Sequence, residues 1–353
     1  MPSTDKRVPA LKRARRFARY CLLRALYAAA SLLPLNVAMA LGRSITGLGM
    51  CVPKLRRKVL ANLATAYPEL GDGERERIAR ACFEHFGNFI GEVCRIEAIT
   101  RDIEGYVELS PEDRARYEGA IAEGQGVLLA TGHVGNFELM ARRLGLIGHP
   151  ASVVAKVSSD PHMTAFIDQL RRRGGYNIIW RGRERGAAFD GLNRALDRGE
   201  AIGLLIDQDT RGRGLFVDFF GKPAHTQRGI ADLAIERGCP VITAFIHRKP
   251  EGGHVVVVER VAVERTGDRE RDVAQLLQTL TLSVERAIRR DPGAWPWFHE
   301  RWKHLPPPAV TSGEAVAATS ASAAVVGSPT GAPSAVTPHD APSEPPCDSP
   351  SPS

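Results

Sequence analysis

From about residue 118 the chain alternates short apolar runs with amphipathic stretches. The apolar runs predict buried strands, and the stretches between them have the periodicity of helices. The predicted strands cover 126–130, 151–157, 176–180, 201–206, 240–247 and 254–263. The predicted helices cover 137–146, 161–173, 186–198, 226–237 and 269–290. Strands separated by helices pair in parallel through crossovers, which predicts an α/β fold with a mostly parallel central sheet flanked by helices on both faces.

A helical lead-in, roughly residues 54–101, precedes the alternating region. Two amphipathic stretches within it, 54–70 and 73–96, have apolar residues at helical spacing. Before them lies an apolar segment, 17–42, in which Arg24, Pro34 and Asn36 break the run. A clean membrane span needs about twenty apolar residues. The segment therefore predicts a helix lying in the membrane interface, with a spanning helix or a signal peptide as alternatives.

Charge is distributed unevenly along the chain. Residues 1–60 hold thirteen Lys or Arg against one acidic residue, and the remainder is net negative, although the whole chain carries +7. A nucleic-acid-binding protein would carry basic charge on its folded body, so this class is disfavoured. A basic N-terminus on a mildly acidic body instead favours attraction to an anionic membrane surface.

The six cysteines form no CxxC pair and no metal-ligand spacing with histidines. We therefore expect no metal, no cofactor and a reducing compartment, which favours the cytoplasmic side. The last segment, 306–353, is rich in Pro, Ala and Ser and predicts disorder. The predicted organisation is a basic, membrane-associated region at 1–50, a catalytic domain at 51–305 and a disordered tail at 306–353.

The segment VLLATGHVGNFEL, 127–139, is the strongest candidate for chemistry. It places His133 directly after a predicted strand and five positions before Glu138, which opens the next helix. An imidazole oriented by a carboxylate can remove a proton from a hydroxyl. We therefore predict His133 as general base and Glu138 as its partner, with a purely structural histidine as the alternative. The same spacing recurs at His254 and Glu259 within a strand, and at His339 and Glu344 in the tail, without that context.

Acidic residues follow a second strand at the same edge of the predicted sheet. Asp207 and Asp209 come directly after strand 201–206, and in parallel sheets ligands bind at the carboxyl ends of the strands. The loop 207–229 contains Arg228, as well as Arg211 and Arg213, so an ion network or a substrate-facing loop is predicted. A turn followed by an amphipathic hairpin is the alternative. Three phenylalanines in this loop suit either an acyl-chain groove or the core equally: Phe216, Phe219 and Phe220.

Two further basic residues are candidates for contacting an anionic substrate. Lys156 follows strand 151–155, and Arg171 ends the helix before the next strand; a solvated surface charge is the alternative for each. The aromatic segment 295–302 favours a final helix that caps the core, with an aromatic belt at the membrane interface as the alternative. The sequence lacks a Gly-x-Ser-x-Gly elbow, a Walker loop and a Gly-x-Gly-x-x-Gly motif, so direct attack by an acceptor hydroxyl is favoured over a covalent acyl-enzyme or nucleotide chemistry.

Taken in order, six motifs resemble the bacterial lipid A biosynthesis acyltransferases, the lauroyl and myristoyl transferases of the glycerophosphate acyltransferase superfamily. The resemblance runs from about Leu32 to Pro306. It rests on RRKVLANLATAYPEL (56–70), GHVGNFE (132–138), GEAIGLLIDQD (199–209), FVDFFGKPAHTQRG (216–229), GCPVITAFIHRK (238–249) and WPWFHERWK (295–303).

The resemblance implies an enzyme on the cytoplasmic face of the inner membrane that moves a fatty acyl chain from acyl carrier protein, or a CoA thioester, to a hydroxyl of a lipid A precursor. It implies His133 as base, Glu138 as orienting partner, supporting aspartates at 207 and 209, and Arg171 against an anionic group. Family members commonly have an arginine where this chain has Lys156. The lysine keeps the positive charge but cannot form the bidentate hydrogen bonds of a guanidinium group. Another membrane lipid, such as a glycosylated phospholipid or an ornithine lipid, is therefore an alternative acceptor. A non-catalytic lipid-binding protein and a hydrolase are the competing functions.

Overall fold

The computed structural model describes residues 9–182 and 186–306, in which helices lie on both faces of a seven-stranded sheet. The strands are β1 (Val107–Leu109), β2 (Val127–Thr131), β3 (Ala151–Lys156), β4 (Asn177–Arg181), β5 (Ala201–Leu205), β8 (Val241–Arg248) and β9 (His254–Val261), and the separate hairpin is formed by β6 (Gly214–Phe219) and β7 (Lys222–Gln227). The sheet order is β1-β9-β8-β2-β5-β3-β4, parallel except for the β8–β9 pair. The predicted fold class is confirmed.

The helices of the lead-in are α1 (Ala10–Ala30), α2 (Leu35–Gly47), α3 (Pro53–Ala66), α4 (Asp72–Cys94), α5 (Ile96–Thr100) and α6 (Ile103–Tyr106). Those of the sheet region are α7 (Pro111–Ala122), α8 (Phe137–Gly145), α9 (Pro161–Arg172), α10 (Ala187–Asp197), α11 (Gly229–Arg237) and α12 (Arg269–Arg290). All six predicted strands and five predicted helices are present, with ends that differ by at most three residues. Helix α7 and strand β1 were not predicted.

Alternation along the strands divides the core into two layers, because successive side chains of a strand point to opposite faces. Leu128 and Ala130 pack into one layer, with α3, α4, α11 and α12. Val127 and Leu129 pack into the other, with α7 and α8. The carboxyl ends of the parallel strands are left free at one edge of the sheet, where the polar motifs lie.

Helices α2 and α4 approach each other unusually closely. A side-chain carbon added at Gly42 would lie 2.1 Å from the carbonyl oxygen of Gly87. Arg43 donates to Asn88 at 2.7 Å, and the Thr46 hydroxyl donates to the carbonyl of Phe83 at 2.6 Å. Small residues allow backbone contact, and the two polar bonds fix the register, so α2 is held firmly against α4.

Among the described residues, no single helix is long and apolar enough to cross a membrane. By length and composition only, the bent pair Leu35–Cys51 and Pro53–Ala66, which turns by 88°, could do so together. The five described cysteines are free thiols. The predicted disorder of 306–353, and with it His339 and Glu344, lies outside the described residues except for Pro306.

The structure differs from one local prediction, at 295–302, and distinguishes between the two interpretations of the loop 207–229. The segment 295–302 is not a helix: a short 3-10 turn, Pro292–Ala294, is followed by turns, since Pro296 has no amide hydrogen to continue a helix. The loop 207–229 contains a hairpin, the simpler of its two interpretations. Its phenylalanines Phe219 and Phe220 belong to the core, whereas Phe216 is partly exposed against His225.

Candidate active site

The loop that carries His133 leaves β2 and enters α8 through a tight turn. Gly135 has a φ of 63°, and a side-chain carbon there would lie 2.0 Å from the carbonyl oxygen of Ile246, so only glycine fits. The Asn136 side chain caps α8 by accepting from the Leu139 amide at 3.2 Å. The turn therefore fixes the backbone on both sides of the histidine.

Strand pairing brings His133 to Asp207. Strands β2 and β5 are parallel neighbours with Thr131 paired to Leu205, and each candidate lies two residues beyond its paired position. The Nδ1 atom of His133 lies 2.8 Å from Oδ1 of Asp207, and the His133 amide donates to Oδ2 at 2.8 Å. The carboxylate thus holds both the ring and the backbone of the histidine.

Trp295 completes the environment of this carboxylate. Its indole N–H donates to Oδ2 of Asp207 at 2.7 Å, and both side chains are buried. An ionised carboxylate can only accept hydrogen bonds, so Nδ1 of His133 carries the proton and Nε2 has a free lone pair. The histidine side chain is 23% exposed, which leaves Nε2 accessible for accepting a proton.

Electrostatics favour an ionised Asp207 and a basic His133. Burial would raise the pKa of Asp207, but the charge of His133, its hydrogen bonds and that of Trp295 hold the pKa far below its usual range. Burial would also lower the pKa of His133, but the charge and hydrogen bond of Asp207 outweigh this, so its pKa is raised above 6.5. The pair has the charge arrangement that general-base catalysis needs.

Glu138 does not orient His133, contrary to the prediction from spacing. Its carboxylate forms a two-pronged ion pair with Arg171, with Nε at 3.2 Å and Nη2 on the other oxygen, and it accepts from the Tyr176 hydroxyl at 3.1 Å. Being in the first turn of α8, Glu138 points toward the end of α9 instead of back along the loop. Its negative charge still contributes to raising the pKa of His133.

Two residues that the sequence did not suggest lie beside the His133 ring. The Gln208 amide lies 3.5 Å from Nε2 of His133 and 3.5 Å from Nδ1 of His299. The His299 ring is perpendicular to that of His133, with centroids 5.2 Å apart. Burial, followed by the charge of His133, lowers the pKa of His299 to about 4, so this ring is neutral near pH 7.

A cavity of about 560 Å³ opens beside His133 and extends along the sheet. Its lining is mainly apolar and includes residues at both ends of the strands, from Leu205 and Ile206 near the histidine to Ala151 and Ala201 at the opposite ends. Four strand residues at ~3.3 Å each separate Leu205 from Ala201, or roughly 13 Å. The cavity has the shape and polarity to hold an extended aliphatic chain.

The mouth of this cavity is basic. Lys156 and Arg181 are paired positions at the carboxyl ends of β3 and β4; both line the cavity and both are exposed. Arg181, which the sequence did not single out, also donates to Gln227 at 3.2 Å. Two cations at adjacent strand ends suit an anionic group such as a phosphate.

This geometry, a histidine–aspartate pair beside an apolar cavity with a basic mouth, agrees with what comparison of the chain with known proteins finds. A family model of bacterial lipid A biosynthesis acyltransferases matches residues 4–304. The chain belongs to this family. It is therefore an acyltransferase of lipid metabolism, and its reaction requires an acyl donor and a lipid acceptor.

Relatives of this acyltransferase act on more than one kind of lipid, judging by their names. A phosphatidylinositol mannoside acyltransferase of Mycobacterium tuberculosis is 26% identical over 227 residues, covering 63% of this chain and 69% of that protein. The lipid A biosynthesis lauroyltransferase of Escherichia coli K12 is 26% identical over 288 residues, covering 78% and 88%. The palmitoleoyltransferase of the same organism is 25% identical over 289 residues, covering 78% and 87%.

Among the described residues, the two remaining predicted site residues, Arg228 and Asp209, bond to partners other than His133. Arg228 forms ion pairs with Asp232 and Glu270, and these hydrogen bonds raise its pKa further. Asp209 contacts His304 near the end of the described chain. The predicted ion network between the aspartates and Arg228 is therefore wrong, because β7 carries the arginine toward α12 and away from the sheet edge.

The other copy of the His-x4-Glu spacing in the described chain has no catalytic geometry. His254 is fully buried and bonds through Nε2 to Glu92 at 2.8 Å, while Glu259 pairs with Arg286 at the surface. The two side chains point to opposite faces of β9, as the odd spacing predicts.

Proposed function

We propose that this acyltransferase moves a fatty acyl chain from a thioester directly to a hydroxyl of a membrane lipid, with His133 as general base. The observation that carries the proposal is the His133–Asp207 pair, whose histidine lines the apolar cavity and has its Nε2 lone pair free of Asp207. His133 takes the proton of the acceptor hydroxyl as the oxygen attacks the thioester carbonyl. The carbon–sulfur bond then breaks, and the thiolate leaves with the proton from His133.

The side chains in the cavity favour a direct transfer without an acyl-enzyme. Among the described lining residues, the aliphatic hydroxyls are Thr131 and Ser152, and there is no cysteine. The Thr131 hydroxyl donates to the carbonyl of Ala244 at 2.7 Å, and the Ser152 hydroxyl donates to Glu200. Neither hydroxyl bonds to His133, so neither is arranged as an activated nucleophile.

The acyl donor is a thioester of acyl carrier protein, with CoA thioesters as the alternative. Both donors carry a phosphorylated pantetheine arm, and Lys156 and Arg181 at the mouth offer two cations for its phosphate. The Glu138–Arg171 pair inside the cavity fixes the wall beside the histidine. In this proposal Glu138 positions Arg171, and Asp207 takes over the orienting role at His133.

The first candidate acceptor is a hydroxylated acyl chain of a lipid A precursor, which is supported by the family and by the lipid A relatives. A glycosylated phospholipid is the second candidate, favoured by the phosphatidylinositol mannoside acyltransferase relative. The lysine at 156 is compatible with either, because it offers a point charge and not the planar fork of an arginine.

We further propose that the enzyme docks on the cytoplasmic face of the inner membrane through α1. This helix exposes apolar side chains, including Leu11, Leu22 and Leu26, together with a cluster of basic residues. One side of it packs on α9, where the Tyr27 and Phe166 rings lie 5.2 Å apart. Apolar and basic exposure on one helix is typical of binding in the interface of an anionic bilayer.

Purified enzyme tests the proposal directly. Acyl-carrier-protein and CoA thioesters are each incubated with a lipid A precursor, a mannosylated phosphatidylinositol and an ornithine lipid, and products are identified by mass spectrometry. Transfer to one acceptor that is abolished in His133→Ala supports the proposal. Fatty acid release that needs no acceptor would identify a hydrolase, and unchanged transfer by His133→Ala would overturn the role of the histidine.

A further inference from the structure

A second group of polar side chains lies next to the active site without taking part in it. Asp209 follows β5, His225 lies on β7, and His304 is close to the end of the described chain. One potential ligand atom from each side chain lies within 4.8 Å of the others. Three segments far apart in the sequence therefore place two imidazoles and a carboxylate together, a donor set that suits zinc.

His225 is already oriented as a metal ligand would be. Its Nδ1 atom lies 2.8 Å from the carbonyl oxygen of Thr210, which can only accept, so Nδ1 carries the proton. Nε2 then keeps a free lone pair. Metal-binding histidines commonly donate their other ring N–H to a backbone carbonyl in this way, which fixes the tautomer and the ring.

Asp209 supplies an independent observation. Its side chain is only 9% exposed, and one carboxylate oxygen, Oδ1, is buried without a hydrogen-bond partner among the described residues. The other oxygen contacts Nδ1 of His304. A buried carboxylate oxygen without a partner is costly, and a cation would satisfy it.

The neighbouring Arg301 and the types of donor atom together indicate which metal ion the cluster would bind. Arg301 is fully buried, donates to the carbonyl of His225 at 2.9 Å, and its charge interacts with Asp209. This buried cation repels any divalent ion, so ligand bonds must hold the metal, and two imidazole nitrogens disfavour Mg²⁺, which prefers oxygen ligands. Imidazole nitrogen bonds favour zinc and similar transition metals.

We propose that Asp209, His225 and His304 bind a Zn²⁺-class divalent metal ion. The ion would fasten the segment after β5, the β6–β7 hairpin and the C-terminal segment to one another. It would take no part in acyl transfer, so this proposal does not depend on the acceptor. The absence of a metal was predicted from short-range spacing of histidines and cysteines, whereas these three residues lie far apart in the sequence.

The test uses the full chain purified with a histidine-free tag, stripped with a chelator and then gel-filtered after incubation with ZnCl₂. We expect one equivalent of zinc by elemental analysis and a melting temperature several degrees higher with zinc than without. In His304→Ala and His225→Ala we expect affinity about tenfold or more weaker and a loss of most of the melting shift. His304 is 39% exposed, so its variant should fold.

His162→Ala is the matched control, since His162 is exposed on α9 and lies outside the cluster. It should bind zinc as the parent does. Substoichiometric zinc in the parent, or an equal melting shift in parent and His304→Ala, would overturn the proposal and leave the Asp209–His304 contact as an ordinary ion pair. Neither result bears on His133, whose role is measured by acyl transfer.

Discussion

Replacing Asp207 by Asn tests the proposed catalytic role of the His133–Asp207 pair with little change in side-chain shape. One oxygen of the aspartate, Oδ2, accepts from both the His133 amide and the Trp295 indole, and the other, Oδ1, faces Nδ1 of His133. An asparagine can place its oxygen at the first position and keep both of those bonds. Its NH₂ group then faces Nδ1, so that nitrogen must become the acceptor.

This change forces the imidazole into the wrong tautomer. With Nδ1 unprotonated, the proton moves to Nε2, which can no longer accept a proton from the acceptor hydroxyl. The negative charge that raises the pKa of His133 is lost as well. The analogous change in the catalytic triad of serine proteases lowers turnover about 10⁴-fold. We therefore expect kcat for Asp207→Asn to fall about 10³–10⁴-fold, which is roughly 4–5 kcal/mol of transition-state stabilisation.

The assay is steady-state acyl transfer from the preferred thioester, with melting temperature and circular dichroism to show that the variant folds. Asp190→Asn is the matched control, because it makes the same chemical change at a residue that is exposed on α10. It should keep nearly full activity. A folded Asp207→Asn enzyme with kcat within about tenfold of the parent would refute the role of the tautomer.

Three other changes test the site and its support. Protonated His133 cannot act as a base, and its pKa is raised above 6.5, so kcat/KM should rise with pH through a midpoint above 6.5. A midpoint below that value in a pH–rate profile would contradict the pairing of His133 with Asp207. Ala151→Phe should shift donor preference to shorter acyl chains in a competition assay, because Ala151 lines the far end of the cavity. An unchanged preference would mean that the acyl chain binds outside this cavity. Glu92→Gln should lower the free energy of unfolding by about 3–5 kcal/mol in urea titrations, because it removes the buried carboxylate charge that pairs with Arg248. The exposed Glu259→Gln should cost less than about 1 kcal/mol.

Glu92 also supports the loop that carries His133, through its hydrogen bond with Asn136. Its fully buried carboxylate accepts from Asn136 at 2.8 Å and from the Tyr106 hydroxyl at 2.6 Å, and it pairs with Arg248 and His254. Burial would raise its pKa, but the hydrogen bond and charge of His254 and the charge of Arg248 hold the pKa at about 2. A depressed carboxylate pKa contributes stability above the normal value, 4.5, and that contribution is lost as pH falls toward 2.

The strands and most helices could be predicted because their signal is local. The run 254–263 contains six valines in ten residues, and the helices between strands have clear apolar stripes. Helix α7 lacks such a stripe, since PEDRARYEGAIA is polar on most sides, and β1 has only three residues. Both gain their structure from packing, α7 against β8 and β9, and β1 by pairing with β9.

The site was predictable only where neighbours in sequence are neighbours in space. His133 could be found from its strand, its glycines and the following helix. Its carboxylate partner could not, because a His-x4-Glu spacing favours Glu138, whereas the contact with Asp207 depends on β2 and β5 lying side by side in a particular register. Trp295 and His299 come from the end of the catalytic region and reach the site only through the folded core.

The glycine contact between α2 and α4 has a mechanical consequence for catalysis at a bilayer. Because the backbones of α2 and α4 are in contact there, a side chain at Gly42 would push the helices apart, and the contact keeps the exposed apolar side chains Val37, Leu41 and Ile45 of α2 in one position relative to α4. If the enzyme binds a membrane as proposed, the absence of side chains at Gly42 and Gly87 thus helps to set its orientation on the surface. A bulkier residue at Gly42 would therefore change how α2 presents these side chains to a lipid surface, although Gly42 itself does not line the cavity.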